Sequence, residues 1–207
     1  MELYYCETTN PRKACAVAKY LEVPVTYHHV DLFSGAQHEA GFENVNPNRK
    51  VPALIDGETR LFESTAIMMY LAQKADSNLW PRQPDHQVQA IQWLAWDSAH
   101  LSRHASTVYF EYVIKRLAAI GDPDPDAVQE AVGFFNQFAA VLDSHLSDRE
   151  VLVGDSLTIA DFGTACVMTV ALENDLKQLP IGDYANISRW LRMMGEIPAW
   201  DSPWPNG

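Results

Sequence analysis

The chain has 207 residues, 47% hydrophobic and 20% charged, enough to bury one large core or two small ones at roughly 100–200 residues per domain. Its 10 glycines, 12 prolines and 3 cysteines exclude collagen-like, disordered and disulfide-scaffold classes. Lys+Arg of 15 against Asp+Glu of 27 gives a formal net charge of −12, which repels phosphate backbones and anionic membranes, so neither nucleic acid nor a membrane is an expected partner.

The N-terminus runs from Met1 through Leu3, Tyr4 and Tyr5 straight into patterned sequence, with no basic segment and apolar signal core. No run reaches the ~18 uncharged apolar residues of a membrane span, and the expected location is the cytoplasm. Leu3 to Cys6 reads as a strand. Thr8-Thr9-Asn10-Pro11 carries a helix start, followed by a helical run from Arg12 to Leu21 that Val23-Pro24 stops. Val25 to Val30 alternates as a second strand, parallel to the first because a helix separates them. Ala53-Leu54-Ile55, Asp56-Gly57 and Thr59 to Phe62 form a hairpin signal, since Asp-Gly accepts the positive φ of tight turns. A helix from Ser64 to about Lys74 completes a βαβ, irregular, ββα order, that of a thioredoxin-like domain over residues 1–75.

Residues 76–84 read as a linker rich in turn chemistry, after which strand signals vanish. The predicted fold is therefore an α/β domain followed by an all-helical domain over 85–207. Helices are expected over Asp85–Ile120, Asp126–Leu146, Thr158–Leu172 and Ile187–Met194, with Gly121 to Pro125 breaking the first from the second. Within Gly154 to Phe162, Thr158 and Asp161 form a carboxylate capping box, and Leu157 and Phe162 form a hydrophobic staple; this device folds a helix and carries no chemistry. Cys6, Cys15 and Cys166 are odd in number, unevenly spaced and set among apolar residues, so no disulfide framework and no zinc pattern follow.

Four segments together resemble the glutathione transferase superfamily over nearly the whole chain: the strand into Thr8-Thr9-Asn10-Pro11-Arg12, the run Asn46 to Leu54 containing Lys50-Val51-Pro52, the turn Phe62-Glu63-Ser64-Thr65-Ala66-Ile67, and the capping box. In spacing the chain is most similar to the theta and phi classes and their bacterial relatives. The resemblance implies a transferase that stabilises the glutathione thiolate for attack on a hydrophobic electrophile, with no cofactor beyond glutathione and no metal. It also implies a two-fold homodimer.

A cis Val51-Pro52 bond lets the Val51 backbone face an extended peptide ligand. Glu63-Ser64, at a helix start, favours the γ-glutamyl carboxylate through backbone N–H groups, with Glu63 available for the ammonium. The thiol-activating hydroxyl falls on Thr8, where the resembled classes usually carry serine, with Thr9 one register away; Thr8 serving only as an N-cap is the alternative. A thiol of pKa about 8.5 lowered by about two units needs ~2.7 kcal/mol of anion stabilisation. One charge-assisted hydrogen bond supplies about 1.5–3 and a helix N-terminus ~0.3–1.

Gln37-His38 is similar to the pair that reaches the glycyl carboxylate, and Lys50 either pairs with that carboxylate or is a solvated cation. Asp97 matches an acidic position reaching the partner subunit's glutathione, or is a solvated helix carboxylate. The implied electrophile pocket takes Trp96, His100 and His104 at helical spacing, with Arg103 and Thr107 beside them. The tail through Trp200 and Trp204 either caps that pocket or packs on the helical core. His100 and His104 lack the glutamate of a zinc-binding helix. Two other functions stand beside the transferase: a Cys6-dependent glutathione thiol transferase or peroxidase, and a non-catalytic interaction module of the same fold.

Overall fold

A computed structural model describes residues 1–205. They form two compact units, one of residues 1–81 together with the described residues from Glu196 onward, the other spanning Arg82–Gly195.

The first unit is built on a four-stranded sheet of order β2-β1-β3-β4. Strand β1 (Glu2–Tyr5) leads into helix α1 (Thr9–Tyr20) and then β2 (Thr26–His29). β1 and β2 are parallel, with Leu3 opposite Tyr27 and Tyr5 opposite His29; a parallel pair needs a crossover element, and α1 supplies it. β3 (Ala53–Asp56) pairs antiparallel with β1, placing Leu54 opposite Leu3, and turns into β4 (Thr59–Phe62) through Gly57 at φ +60°, a backbone that costs glycine nothing. Helix α2 (Ser64–Lys74) packs on α1. The small side chains Ala14, Ala16 and Ala18 let α1 approach closely, and Leu3, Leu54, Ile67, Met68 and Leu71 fill the core.

The expected strand, crossover, hairpin and closing helix are all present, with the expected pairing directions. The tail differs. α9 (Pro198–Asp201) packs on α1, so the described tail joins the first unit rather than the helices. Two cations of α1 hold it: Arg12 donates through Nη2 to the Trp200 carbonyl at 2.8 Å with its guanidinium 5.2 Å from the Trp200 ring centre, and Lys19 donates to the Ser202 carbonyl at 2.6 Å. Trp204 stacks on Tyr5 at 6.0 Å. Long-range carbonyl acceptors of this kind leave no trace in a local hydrophobic pattern.

In the second unit, α3 (Pro84–Trp96), α4 (Ser102–Tyr109) and α5 (Lys115–Ala118) are joined by π-helical turns at Asp97–Leu101 and Phe110–Ile114, where the sequence pattern reads as one run. α6 (Pro125–His145), α7 (Ile159–Glu173) and α8 (Ala185–Gly195) follow. α7 is buried nearly all round, from Ile159 to Met168, which marks it as the central helix. Among the described residues no helix is long and apolar enough to cross a membrane.

Asp161 is fully buried and fixes the start of α7. Its Oδ2 accepts from the Thr158 amide at 2.9 Å and the Thr158 hydroxyl at 3.2 Å, while Oδ1 accepts from the Leu152 amide at 2.9 Å and Trp190 Nε1 at 3.1 Å. Burial pushes its carboxyl pKa up, against hydrogen bonds that pull it down. The box thus ties α7 to α8 as well as capping it. Asp161→Ala strips buried N–H donors of their acceptor and is expected to lower stability by about 3–5 kcal/mol, read from the urea unfolding midpoint at unchanged m-value; a loss within about 0.5 kcal/mol, the range of an ordinary surface change, would contradict this role.

Candidate functional site

The loop before Pro52 is organised by one side chain. Asn46 is 2% exposed; its Nδ2 donates to the Lys50 carbonyl at 2.7 Å, and its Oδ1 accepts from the Asn48 amide at 2.9 Å and Asn48 Nδ2 at 3.1 Å. Arg49, left-handed at φ +51°, donates to the His38 carbonyl at 2.7 Å and pairs with Glu43 at 3.2 Å. The Val51-Pro52 peptide is cis, as its sequence context predicts. Ladder pairing begins only at Ala53. Among the described residues, neither the amide nor the carbonyl of Val51 has a hydrogen-bond partner.

Beside this loop, Glu63 precedes α2 with φ +69° and ψ +118°, a conformation that costs a residue with a Cβ about 1–3 kcal/mol. Its side chain caps nothing, and the α2 backbone N–H groups that follow have no acceptor within the helix. Lys50, Val51, Pro52, Glu63 and Ser64 line a hollow of about 190 Å³ together with Asn10, Asn46 and Asn48. Neither the Lys50 ammonium nor the Glu63 carboxylate has an ion-pair partner among the described residues. The hollow therefore offers a cation, an anion, a helix N-terminus and an unpaired stretch of backbone, a donor and acceptor set suited to a small zwitterionic peptide.

Thr8 sits at the start of α1 in an extended conformation, φ −132° and ψ 171°, with its carbonyl accepting from the Arg12 amide. Its hydroxyl makes no capping bond, so the cap alternative accounts for its backbone and leaves its side chain unused. Thr9 is the first residue of the helix.

The other expected residues are not among those that line the hollow. His38 is exposed at the end of a single turn and contributes its carbonyl to Arg49. Asp97, in the second unit, is 2% exposed and accepts from the Ser102 hydroxyl at 2.8 and 2.9 Å, so it is not a solvated carboxylate. In that unit His100 stacks on Phe138 at 4.8 Å and His104 on Phe134 at 4.6 Å, with Trp96 edge-on to Phe138. Burial, with Arg103 beside it, holds the His104 pKa below the usual imidazole range. Trp204 belongs to the first unit. Cys6 is 7% exposed and burial pushes its thiol pKa up, which disfavours a free nucleophilic thiolate.

Sequence reasoning did not assign Asn10, Asn46 or Asn48 to the hollow, nor Phe134 and Phe138 to the histidines. For the phenylalanines a signal existed, an i, i+4 aromatic pair on α6. For Asn10 none did, because any polar residue suits a first helical turn.

Residues 2–73 match the family model described as glutathione S-transferase, N-terminal domain, and residues 104–198 the model of the C-terminal domain. A glutathione transferase from Burkholderia graminis, solved with two glutathione molecules per subunit, is 26% identical with TM-score 0.86, over 98% of this chain and 86% of that one. A Pseudomonas fluorescens family member, solved with two glutathione bound, is 26% identical with TM-score 0.87, over 98% and 91%. Glutathione transferase F7 from Populus trichocarpa, at 19% identity and TM-score 0.89 over 98% and 96%, shares the fold.

Asn46→Ala removes a donor and an acceptor from the loop and is expected to lower stability by about 1–2 kcal/mol, with Asn46→Asp, which sets a buried carboxylate oxygen against the Lys50 carbonyl, lowering it further. Chemical denaturation of the three proteins checks the order; equal midpoints would mean that the loop is held by other contacts.

Proposed function

The chain belongs to the glutathione S-transferase family, and from that premise we propose that it is a cytoplasmic, homodimeric enzyme that binds glutathione in the hollow of the first unit and transfers it to a hydrophobic electrophile, a detoxifying conjugation. The observation that carries this reading is the unpaired Val51 backbone lying between Lys50 and the start of α2. An extended cysteinyl residue pairs with Val51 as an added strand would. The γ-glutamyl carboxylate takes the α2 N-terminus at Ser64, its ammonium takes Glu63, and the glycyl carboxylate takes Lys50. The two bacterial relatives solved with glutathione support the ligand.

Thr8 donates its hydroxyl proton as a hydrogen bond to the ligand's sulfur. That bond and the N-terminus of α1 favour the anion by about 2–4 kcal/mol together, which meets the ~2.7 needed for a two-unit shift. The thiolate attacks the electrophilic carbon, a C–S bond forms, and the leaving group departs with its electron pair. No general base is required, because the thiol proton has already gone to solvent. Trp96, edge-on to Phe138, with His100 stacked on Phe138 and His104 on Phe134, makes an aromatic surface suited to holding the electrophile. In this reading Asp97 holds the π turn through Ser102, and His38 holds the loop through its carbonyl.

Thr8→Val tests the mechanism. Thiolate absorbance of bound glutathione, titrated with pH, should show an apparent pKa higher by about one to two units, and turnover of an aromatic halide at neutral pH should fall about 10–100-fold. Thr9→Val should change neither. A Thr8→Val protein that ionises glutathione as the parent does would remove the proposed role of Thr8.

A further inference from the structure

Cys6, Glu7 and His29 converge at one end of the sheet, and nothing in the transferase reading uses them. The parallel register sets Tyr5 opposite His29, and the Val30 amide extends that pairing by donating to the Tyr5 carbonyl at 2.8 Å. Immediately beyond, the Thr8 amide donates to the Cys6 carbonyl at 2.7 Å, a tight turn centred on Glu7. The result is that one thiol sulfur, one carboxylate oxygen and one imidazole nitrogen all lie within 4.8 Å of one another. His29 Nε2 and Glu7 Oε2 are 2.9 Å apart, and the His29 ring stands edge-on to Tyr5 at 5.4 Å, which sets its plane.

We propose that Cys6, Glu7 and His29 form a binding site for a zinc-class divalent cation. Zinc–sulfur bonds of about 2.3 Å and zinc–nitrogen or zinc–oxygen bonds of about 2.0–2.2 Å at tetrahedral angles separate their donors by roughly 3.3–3.6 Å. The His29–Glu7 contact opens by about half an ångström to admit the ion, a side-chain adjustment of two exposed groups. Thiolate and imidazole together select zinc over magnesium or calcium, which prefer oxygen alone. The charges balance, since a thiolate, a carboxylate and a neutral imidazole carry −2 against the ion's +2. Binding releases the Cys6 thiol proton to solvent, together with any proton shared between His29 and Glu7. Three protein ligands leave the fourth position to water.

The surroundings favour a cation. Asp31 stands two residues beyond His29, and among the described residues neither Glu7 nor Asp31 pairs with a lysine or arginine. Access is open, because the side chains of His29 and Glu7 are 46% and 50% exposed while Cys6 sits beneath them. An ordinary His–Glu ion pair explains the 2.9 Å contact but gives no part to the sulfur. The sequence showed no zinc pattern because Cys6 and Glu7 lie in the turn after β1 and His29 ends β2, outside any short Cys/His spacing.

Cobalt(II) added to the full chelator-treated protein reports a sulfur ligand directly, through a thiolate-to-cobalt charge-transfer absorption. One equivalent is expected to bind with that absorption, and zinc is expected to displace it. Cys6→Ser should abolish the absorption, and Cys15→Ser should leave it. His29→Gln, an exposed change that leaves strand pairing intact, should weaken zinc in a chromophoric-chelator competition by roughly tenfold or more, since even an outer partner of a ligand is worth that much. Should Cys6→Ser not fold, His29→Gln and Glu7→Gln decide the matter alone. Absence of the charge-transfer absorption at stoichiometric cobalt, its survival in Cys6→Ser, or zinc affinity unmoved in His29→Gln and Glu7→Gln would each overturn the site.

Discussion

Val51 reaches the surface of the first unit with its amide and carbonyl unpaired because the residues before it are held by something other than the sheet. Asn46, buried and polar, takes the Lys50 carbonyl on its Nδ2 and the Asn48 amide on its Oδ1, so the loop is complete before the strand begins at Ala53. A loop satisfied in this way has no reason to slide into further strand pairing. The backbone left over is what a peptide ligand requires. Lys50, Glu63 and Ser64 then have fixed positions around it.

The same chain obeys local rules in one place and departs from them in another. At α7 the Thr158 and Asp161 side chains satisfy the helix start and reach Trp190 and Leu152 as well. At α1 the Thr8 hydroxyl forgoes a cap worth about 1 kcal/mol, and at α2 Glu63 adopts a backbone that most residues avoid. Around the hollow, Glu63 lines it with a strained backbone and the Val51 amide and carbonyl are idle, whereas the capping box satisfies its own polar groups. Such departures are expected where a site is kept ready for a ligand rather than for the fold itself.

What could be read from the sequence follows the same division. Strand alternation, the Asp56-Gly57 turn, the Val51-Pro52 bond and the box at Thr158 are local in sequence, and each stands where its residues place it. Glu63 and Ser64 were legible through their position at a helix start. The tail was not legible, because Arg12 and Lys19 reach carbonyls some 180 residues away, separations of 188 and 183. The π turns flanking α4 interrupt a pattern whose hydrophobic period continues through them. The Cys6–His29 meeting depends on strand register, which two-residue alternation sets only once the partner strand is known.

Amide hydrogen exchange at Val51, followed residue by residue with and without glutathione, tests the central claim most directly. The account predicts fast exchange in the free protein and strong protection on adding glutathione, confined in this loop to Val51 and accompanied by slowing at the first amides of α2. Protection of Val51 already present without ligand, or glutathione binding that leaves Val51 exchange unchanged, would contradict it.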